Sequence, residues 1–295
     1  MDMDMTLIKQ EFDEKGYVVI PNILNNTEII EYISEFNKWM DSIPKSDYLH
    51  SQIDYHGIFK YFQVGHQRFA WLLRTNPKII NVFKSLWDTD ELVVSFDSCC
   101  YYPNTYKGTE SYWIHSDQSP LKKGLRCIQS FVSLTSNKER TFVVYEGSHK
   151  LHEDHSNSYN LQNPSDWYPI QEEYVETIQD RKKILHVEAG SLVLWDSRTF
   201  HQNTCGPETC EEERLVQYLC YLPKNNEIND ENMQNLRFNC FHKRRTTNHY
   251  PYPMSQISLQ PSTYNYYNND NLDIDYSTLQ DPNLDDLLDN IYELL

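Results

Sequence analysis

The stretch HVEAGSLVLWDSRTFHQN, residues 186–203, joins three different textures within eighteen positions. Glu188-Ala189-Gly190 has the glycine of a chain reversal, Ser191 to Trp195 is a short apolar run, and the polar DSRT leads to His201. An apolar run this short, set off by turn residues, reads as a buried strand, and it carries the histidine to its far end. The same texture recurs in ELVVSFDSCCYY (91–102), LRCIQSFVSL (125–134), TFVVYEG (141–147) and RLVQYLCYL (214–222). Short strands at this density, separated by loops with Pro, Asn and Gly, predict an antiparallel sandwich or barrel. Upstream, NNTEIIEYISEFNKWMDSIP (25–44) offers Thr27 as a cap and apolar residues at Ile29, Ile30, Ile33, Phe36 and Met40 before Pro44, which predicts an amphipathic helix. NPKIINVFKSLW (76–87) predicts a second. The expectation is one domain over 1–245, mainly β with flanking helices, in which an N-terminal helical layer covers a β-core that begins at about residue 91.

With 39% hydrophobic and 14% aromatic residues in 295, the chain can bury a substantial core. Its longest apolar runs fall far short of the roughly 20 residues of a membrane helix, so no span is expected. The acidic start MDMDMTLIKQEFDEKG lacks the basic and apolar regions of a secretory signal. Seven cysteines without a CxxC pair argue against a disulfide framework and give little support to a thiolate zinc site. Together these features predict a reducing, cytoplasmic setting. A formal charge of −17 disfavours nucleic acid and anionic lipid as partners. Lys243-Arg244-Arg245 is a local exception, read either as a solvated basic turn or as an anion contact.

Composition shifts near residue 246. From there to the end stand eight acidic residues and no Lys or Arg. PSTYNYYNNDNLDIDYSTLQDPN (261–283) has no steady period and predicts irregular or disordered chain. NLDDLLDNIYELL (283–295) returns to a helical pattern with Leu284, Leu287, Leu288, Ile291 and Leu295 on one face. That helix would dock on its own domain or enter the groove of a protein partner.

The segment YWIHSDQSP (112–120) places His115 and Asp117 two residues apart. On a strand both side chains share a face and Ser116 points away. Alone the pair reads as a polar turn before a metal site, and His201 alone reads first as a hydrogen-bonded core histidine. Together, two imidazoles and one carboxylate form a facial set suited to non-haem Fe(II), with positions left open for co-substrate and dioxygen. Arg214 opens the next β-rich run, expected beside the His201 strand. A buried guanidinium needs a partner, which a dicarboxylic co-substrate or one of Glu211 to Glu213 could supply.

In order along the chain, GYVVIPNIL, HSDQSP, LRCIQSFVSLTS, VVYEGSHK, AGSLVLWDSRTFHQN and the following arginine resemble the phytanoyl-CoA dioxygenase-like (PhyH) branch of the Fe(II)/2-oxoglutarate oxygenases, over roughly residues 10–225. The resemblance implies a double-stranded β-helix core of the jelly-roll, cupin-like type. It implies His115, Asp117 and His201 as iron ligands, Arg214 on the distal carboxylate of 2-oxoglutarate, and Trp195, Ser197 and Thr199 against the co-substrate. Gln118 and Gln129 fall in segments that reach the site in relatives. The reaction implied consumes O2 and 2-oxoglutarate, hydroxylates an unactivated C–H and releases succinate and CO2. Asp117 argues against halogenation, which needs that coordination position for halide.

The chain departs from the family pattern at Glu146, where a small or prolyl residue is usual, and in SNKERTF (136–142). The loops that set substrate identity are thus its own. A small molecule is the first expectation and a protein side chain the alternative. Tyr55, Tyr102, Tyr112 and neighbouring aromatics either line a pocket or fill the β-core. His149, His152 and His155 read as rim or turn residues. Two competing classes are a non-catalytic β-sandwich binding protein that acts through its acidic tail, and a cupin-type hydrolase or isomerase on Zn(II) or Mn(II).

Overall fold

A computed structural model describes residues 4–43, 56–108, 111–260 and 274–295. Tyr55 and most of the stretch expected to be irregular, 261–273, lie outside the described residues. The described strands are β1 (Tyr17–Ile20), β2 (Ile58–Phe59), β3 (Leu92–Val94), β4 (Cys99–Tyr102), β5 (His115–Ser116) and β6 (Ile128–Ser133). They continue with β7 (Phe142–Tyr145), β8 (Tyr168–Pro169), β9 (Lys182–Ile184), β10 (Leu192–Asp196), β11 (His201–Asn203) and β12 (Arg214–Pro223). The larger sheet runs β1-β10-β6-β12-β4-β2 with β3 also on β12, and the smaller runs β8-β5-β11-β7-β9. Every strand pairing is antiparallel, and the two sheets form a jelly roll.

β6 and β10 are buried on both faces, so neither shows the polar-out alternation of a half-exposed strand. Period-two alternation divides the labour. Val193, Trp195, Phe131 and Val216 face the smaller sheet and meet Phe142 and Val144. Leu192, Leu194, Val132 and Leu219 face the helices and meet Phe36, Trp39, Phe69 and Phe83. The turn ahead of β10 depends on Gly190, at φ +83°, where a Cβ would lie 2.8 Å from the Leu24 carbonyl oxygen.

Helices α1 (Met5–Lys15), α2 (Asn26–Ser42), α3 (Arg68–Arg74) and α4 (Pro77–Trp87) form the N-terminal layer. The cap of α2 is Asn25 rather than Thr27. Asn25 Oδ1 accepts from Glu28 N at 3.0 Å while the Glu28 carboxylate accepts from Asn25 N at 2.7 Å, a reciprocal arrangement that fixes the start two residues early. α4 starts on Pro77 with Asn76 as cap. GYVVIPNIL contributes β1, the edge strand that pairs Tyr17 with Trp195.

β12 does not lie beside β11. Both edges of β11 are taken by β5 and β7, so β12 sits in the larger sheet between β6 and β4, and Arg214 approaches from the opposite wall. Among the described residues four more helices follow the first layer, α5 (His152–Ser158), α6 (Glu172–Glu176), α7 (Glu231–His242) and α8 (Leu288–Glu293). α8 and its flanks dock on the chain's own core through Leu287, Ile291, Leu294 and Leu295. Arg68 pairs with Asp286 at 2.6 Å, Arg244 with Asp281, and Arg237 donates to the Leu295 carbonyl oxygen at 3.1 Å. Part of the basic run at 243–245 therefore serves the tail. All seven cysteines are buried, and none forms a disulfide among the described residues. Among the described residues no helix is long and apolar enough to cross a membrane.

Candidate metal centre

β5 and β11 are neighbours in the smaller sheet, and their register sets His115 directly opposite His201 with ring centroids 4.3 Å apart. Asp117 follows β5, and its N–H donates to the Ser197 carbonyl oxygen at 2.9 Å, which ties it to the turn after β10. Asp117 Oδ1 lies 3.6 Å from His115 Nε2, and Oδ2 lies 3.2 Å from His201 Nε2. One donor atom from each of the three falls within 4.8 Å of the others.

The ring orientations follow from backbone carbonyls. His115 Nδ1 is 2.8 Å from the Trp113 oxygen, and His201 Nδ1 is 2.9 Å from the Thr199 oxygen. A carbonyl has no proton to give, so each Nδ1 carries the hydrogen and each Nε2 keeps a bare lone pair aimed at the shared point. All three side chains are buried. Burial pushes the His115 pKa down to about 3, and the neighbouring His201 acts in the same direction. Burial alone would raise Asp117, but the two imidazoles hold it well below the usual carboxylate range. A neutral imidazole and an ionised carboxylate are the forms that bind a metal. Trp113 stacks on His115 at 4.8 Å and on His56 at 3.8 Å, and the Tyr250 hydroxyl donates to the Asp117 carbonyl oxygen at 3.1 Å.

A cavity of about 660 Å³ opens onto this cluster between the two sheets. Trp195 and Gln129, register partners on β10 and β6, both line it. The N–H groups of Trp195 Nε1 and Gln129 Nε2 are buried without a partner. Arg214 is fully buried behind this wall. Its Nη2 donates to Asn203 Oδ1 at 3.2 Å and its Nη1 to the Arg140 oxygen at 3.4 Å, while its Nε has no partner. The carboxylate of Glu212 is taken up by backbone N–H groups of Lys138, Glu139 and Arg140, and no carboxylate among the described residues pairs with Arg214. Asn203 Nδ2 donates to the Tyr218 hydroxyl oxygen at 2.9 Å, which leaves that hydroxyl's own hydrogen for the cavity that Tyr218 lines.

The other residues singled out in the sequence do not line the cavity. Ser197 Oγ donates to Gln118 Oε1 at 2.9 Å, and Gln118 Nε2 donates to the carbonyls of Lys122 and Gly124, so this pair builds the turn beyond Asp117. Thr199 Oγ1 donates to the Gly16 oxygen at 2.8 Å, toward the start of β1. Tyr102 is buried against Tyr106 and the Arg140 guanidinium. Tyr112 is 43% exposed and its hydroxyl donates to the Ile170 oxygen. The Nε2 atoms of His149, His152 and His155 meet Asp13 O, Gln118 O and Gln171 Oε1, away from the cluster. Sequence reasoning passed over Asn203, Tyr218, Asp97 and His249. Asn203 stands two after His201 and Tyr218 four after Arg214, so strand alternation could have found both. His249 has no local signal.

A jelly roll in which two histidines and an aspartate converge between the sheets, at the end of a cavity, has the architecture of the non-haem iron 2-oxoglutarate oxygenases. Within that class, the family model for phytanoyl-CoA dioxygenase (PhyH) matches residues 12–204, and the chain belongs to this family. Ava biosynthesis cluster protein O of Aspergillus versicolor is 27% identical over 241 residues, covering 73% of this chain and 77% of that protein. Among solved structures, the epimerase SnoN in complex with Fe3+, alpha ketoglutarate and nogalamycin RO matches with a TM-score of 0.51 at 17% identity, over 74% of this chain and 83% of its own. EctD from S. alaskensis with bound Fe gives 0.53 at 20%, over 75% and 77%. HygX from Streptomyces hygroscopicus with nickel and 2-oxoglutarate gives 0.53 at 14%, over 76% and 88%. At these identities the three structures establish likeness of fold.

Proposed function

We propose that the protein is an Fe(II)- and 2-oxoglutarate-dependent dioxygenase that hydroxylates an unactivated C–H of a small organic substrate and releases succinate and CO2. The observation that carries this reading is the pair of bare Nε2 lone pairs of His115 and His201 beside the Asp117 carboxylate, at the end of a cavity with unpartnered N–H donors. Iron held by these three side chains, with 2-oxoglutarate, supplies the activation of dioxygen and the oxidation of the C–H bond. The chain's own groups do the positioning. Trp195 Nε1, Gln129 Nε2 and the Tyr218 hydroxyl offer hydrogens to an anionic co-substrate, and Arg214 supplies the positive charge behind them through Asn203. Trp113 and Trp167 flank His115 and keep water from that side. Asp117 occupies the position a halide would need, which favours hydroxylation. A cavity of about 660 Å³ has the size of a small-molecule site.

Anaerobic titration with Fe(II) and 2-oxoglutarate should give the weak visible charge-transfer band of the chelate. Iron binding without the band would reject the reading. Succinate formation, screened over candidate metabolites with product analysis, then separates hydroxylation from another outcome at the same C–H.

A further inference from the structure

One carboxylate on the cavity wall forms no direct ion pair among the described residues. Asp97 lies between β3 and β4, and its Oδ1 accepts from Ser98 N at 2.7 Å and Ser98 Oγ at 3.1 Å. Among the described residues no ion pair reaches it. Arg74 is close enough for its charge to favour the ionised Asp97, but its Nη atoms donate to the backbone oxygens of Gly65 and Asp97 rather than to the carboxylate. The other acidic groups on the wall are accounted for: Asp117 belongs to the metal cluster, and Asp166 pairs with Lys122 at 2.6 Å. Burial raises the Asp97 pKa, whereas the partnered Glu28, Glu212 and Asp286 are all lowered.

His249 lines the same cavity with a buried, unpartnered Nε2. The chain around it is fixed to the strand that carries Asp97: Thr247 N donates to the Phe96 oxygen at 3.0 Å, and Phe96 N donates to Thr247 Oγ1 at 3.1 Å. That exchange sets Asp97 and His249 on adjoining parts of the wall, near enough for an imidazolium at 249 to favour the ionised carboxylate, with no ion pair between them. Besides Trp195, the cavity is lined by the indoles of Trp113 and Trp167, the latter 48% exposed. A carboxylate on a cavity wall that has no direct ion pair gains from a cationic guest, and aromatic faces favour the same kind of guest.

We infer that Asp97 anchors the substrate, and that the substrate carries a cationic nitrogen, such as a protonated amine, received between Asp97 and His249. This deepens the oxygenase reading by naming the substrate's chemistry, and it rests on that reading only for the identity of the cavity as the active one.

The test uses two probes of matched shape, 2-phenylethylammonium and 2-phenylethanol, titrated calorimetrically under nitrogen into the full chain, once with Fe(II) and 2-oxoglutarate and once without. The ammonium should bind about ten-fold more tightly than the alcohol. In Asp97→Asn that preference should fall to within about three-fold while affinity for the alcohol is kept. Equal affinities in the wild type, no measurable binding of the ammonium, or a preference that survives in a folded Asp97→Asn protein would each overturn the assignment. The wild-type comparison stands if the variant does not fold. A charge preference that persists when the iron chelate gives no visible band would sink the oxygenase reading and leave the cation subsite standing.

Discussion

Each imidazole of the metal cluster is aimed by a single carbonyl, and the same economy runs through the groups behind it. Asn203 spends its oxygen on Arg214 and its nitrogen on Tyr218, so one amide both holds the guanidinium and frees a hydroxyl hydrogen. Asn203→Ala should therefore weaken 2-oxoglutarate binding by about 1 to 2 kcal/mol without loss of iron. Arg214→Ala should weaken it by about 2 to 4 kcal/mol. Anaerobic titration of the visible band measures both, and unchanged affinity in either variant rejects its assigned role. His115→Ala should abolish stoichiometric iron, as measured by metal analysis of the folded protein. The HxD pair was legible because strand alternation is a local rule. Asn203 obeys the same rule and was missed because an asparagine carries no signal until its neighbours are known.

Among the elements, strand existence was written plainly and strand neighbours were not. Burial of β6 and β10 on both faces leaves no exposed face to indicate which sheet lies on which side, so the place of β12 had to come from which edges were already taken. The turn at 137–140 shows how an element is held from afar. Burial alone would raise the Glu212 pKa, but hydrogen bonds from the backbone N–H groups of Arg140, Lys138 and Glu139, together with the Asn137 side chain, outweigh it and lower the value. A carboxylate lowered on folding adds stability above its unfolded pKa, and that stability is lost as pH falls through the folded value. Glu212→Gln should thus cost about 1 kcal/mol near neutrality, a figure discounted for partial exposure, and should flatten the loss of stability below about pH 4. Urea unfolding at several pH values tests it; parallel profiles for the two proteins would contradict it. For α8, Ile291 is fully buried, and Ile291→Ala should cost about 2 to 4 kcal/mol in the same assay.

Across the whole molecule, the shift in composition near residue 246 suggests an appendage, whereas the described residues that follow it pack on the core. Thr247, Asn248, His249, Ser255 and Ile257 line the cavity, and α8 buries its apolar side. Composition reports charge, and packing is decided by which side chains meet at long range, so the two boundaries need not coincide. The tail's exposed ion pairs contribute little, and its hold comes from buried aliphatic groups. Raising salt to about 0.5 M, which shortens the screening length to a few ångströms, should leave hydrogen exchange of 288–295 protected. Loss of protection there would show that charge, rather than apolar burial, holds the helix.

The Tyr250 hydroxyl on the Asp117 carbonyl oxygen joins the C-terminal segment to a group that would grip the metal. Two events that share a linkage of this kind stabilise each other in equal measure. Iron loading should thus slow proteolytic clipping around 246–257, and Tyr250→Phe should uncouple the two, so that the vulnerability of the segment becomes a gauge of the fraction of molecules that carry iron.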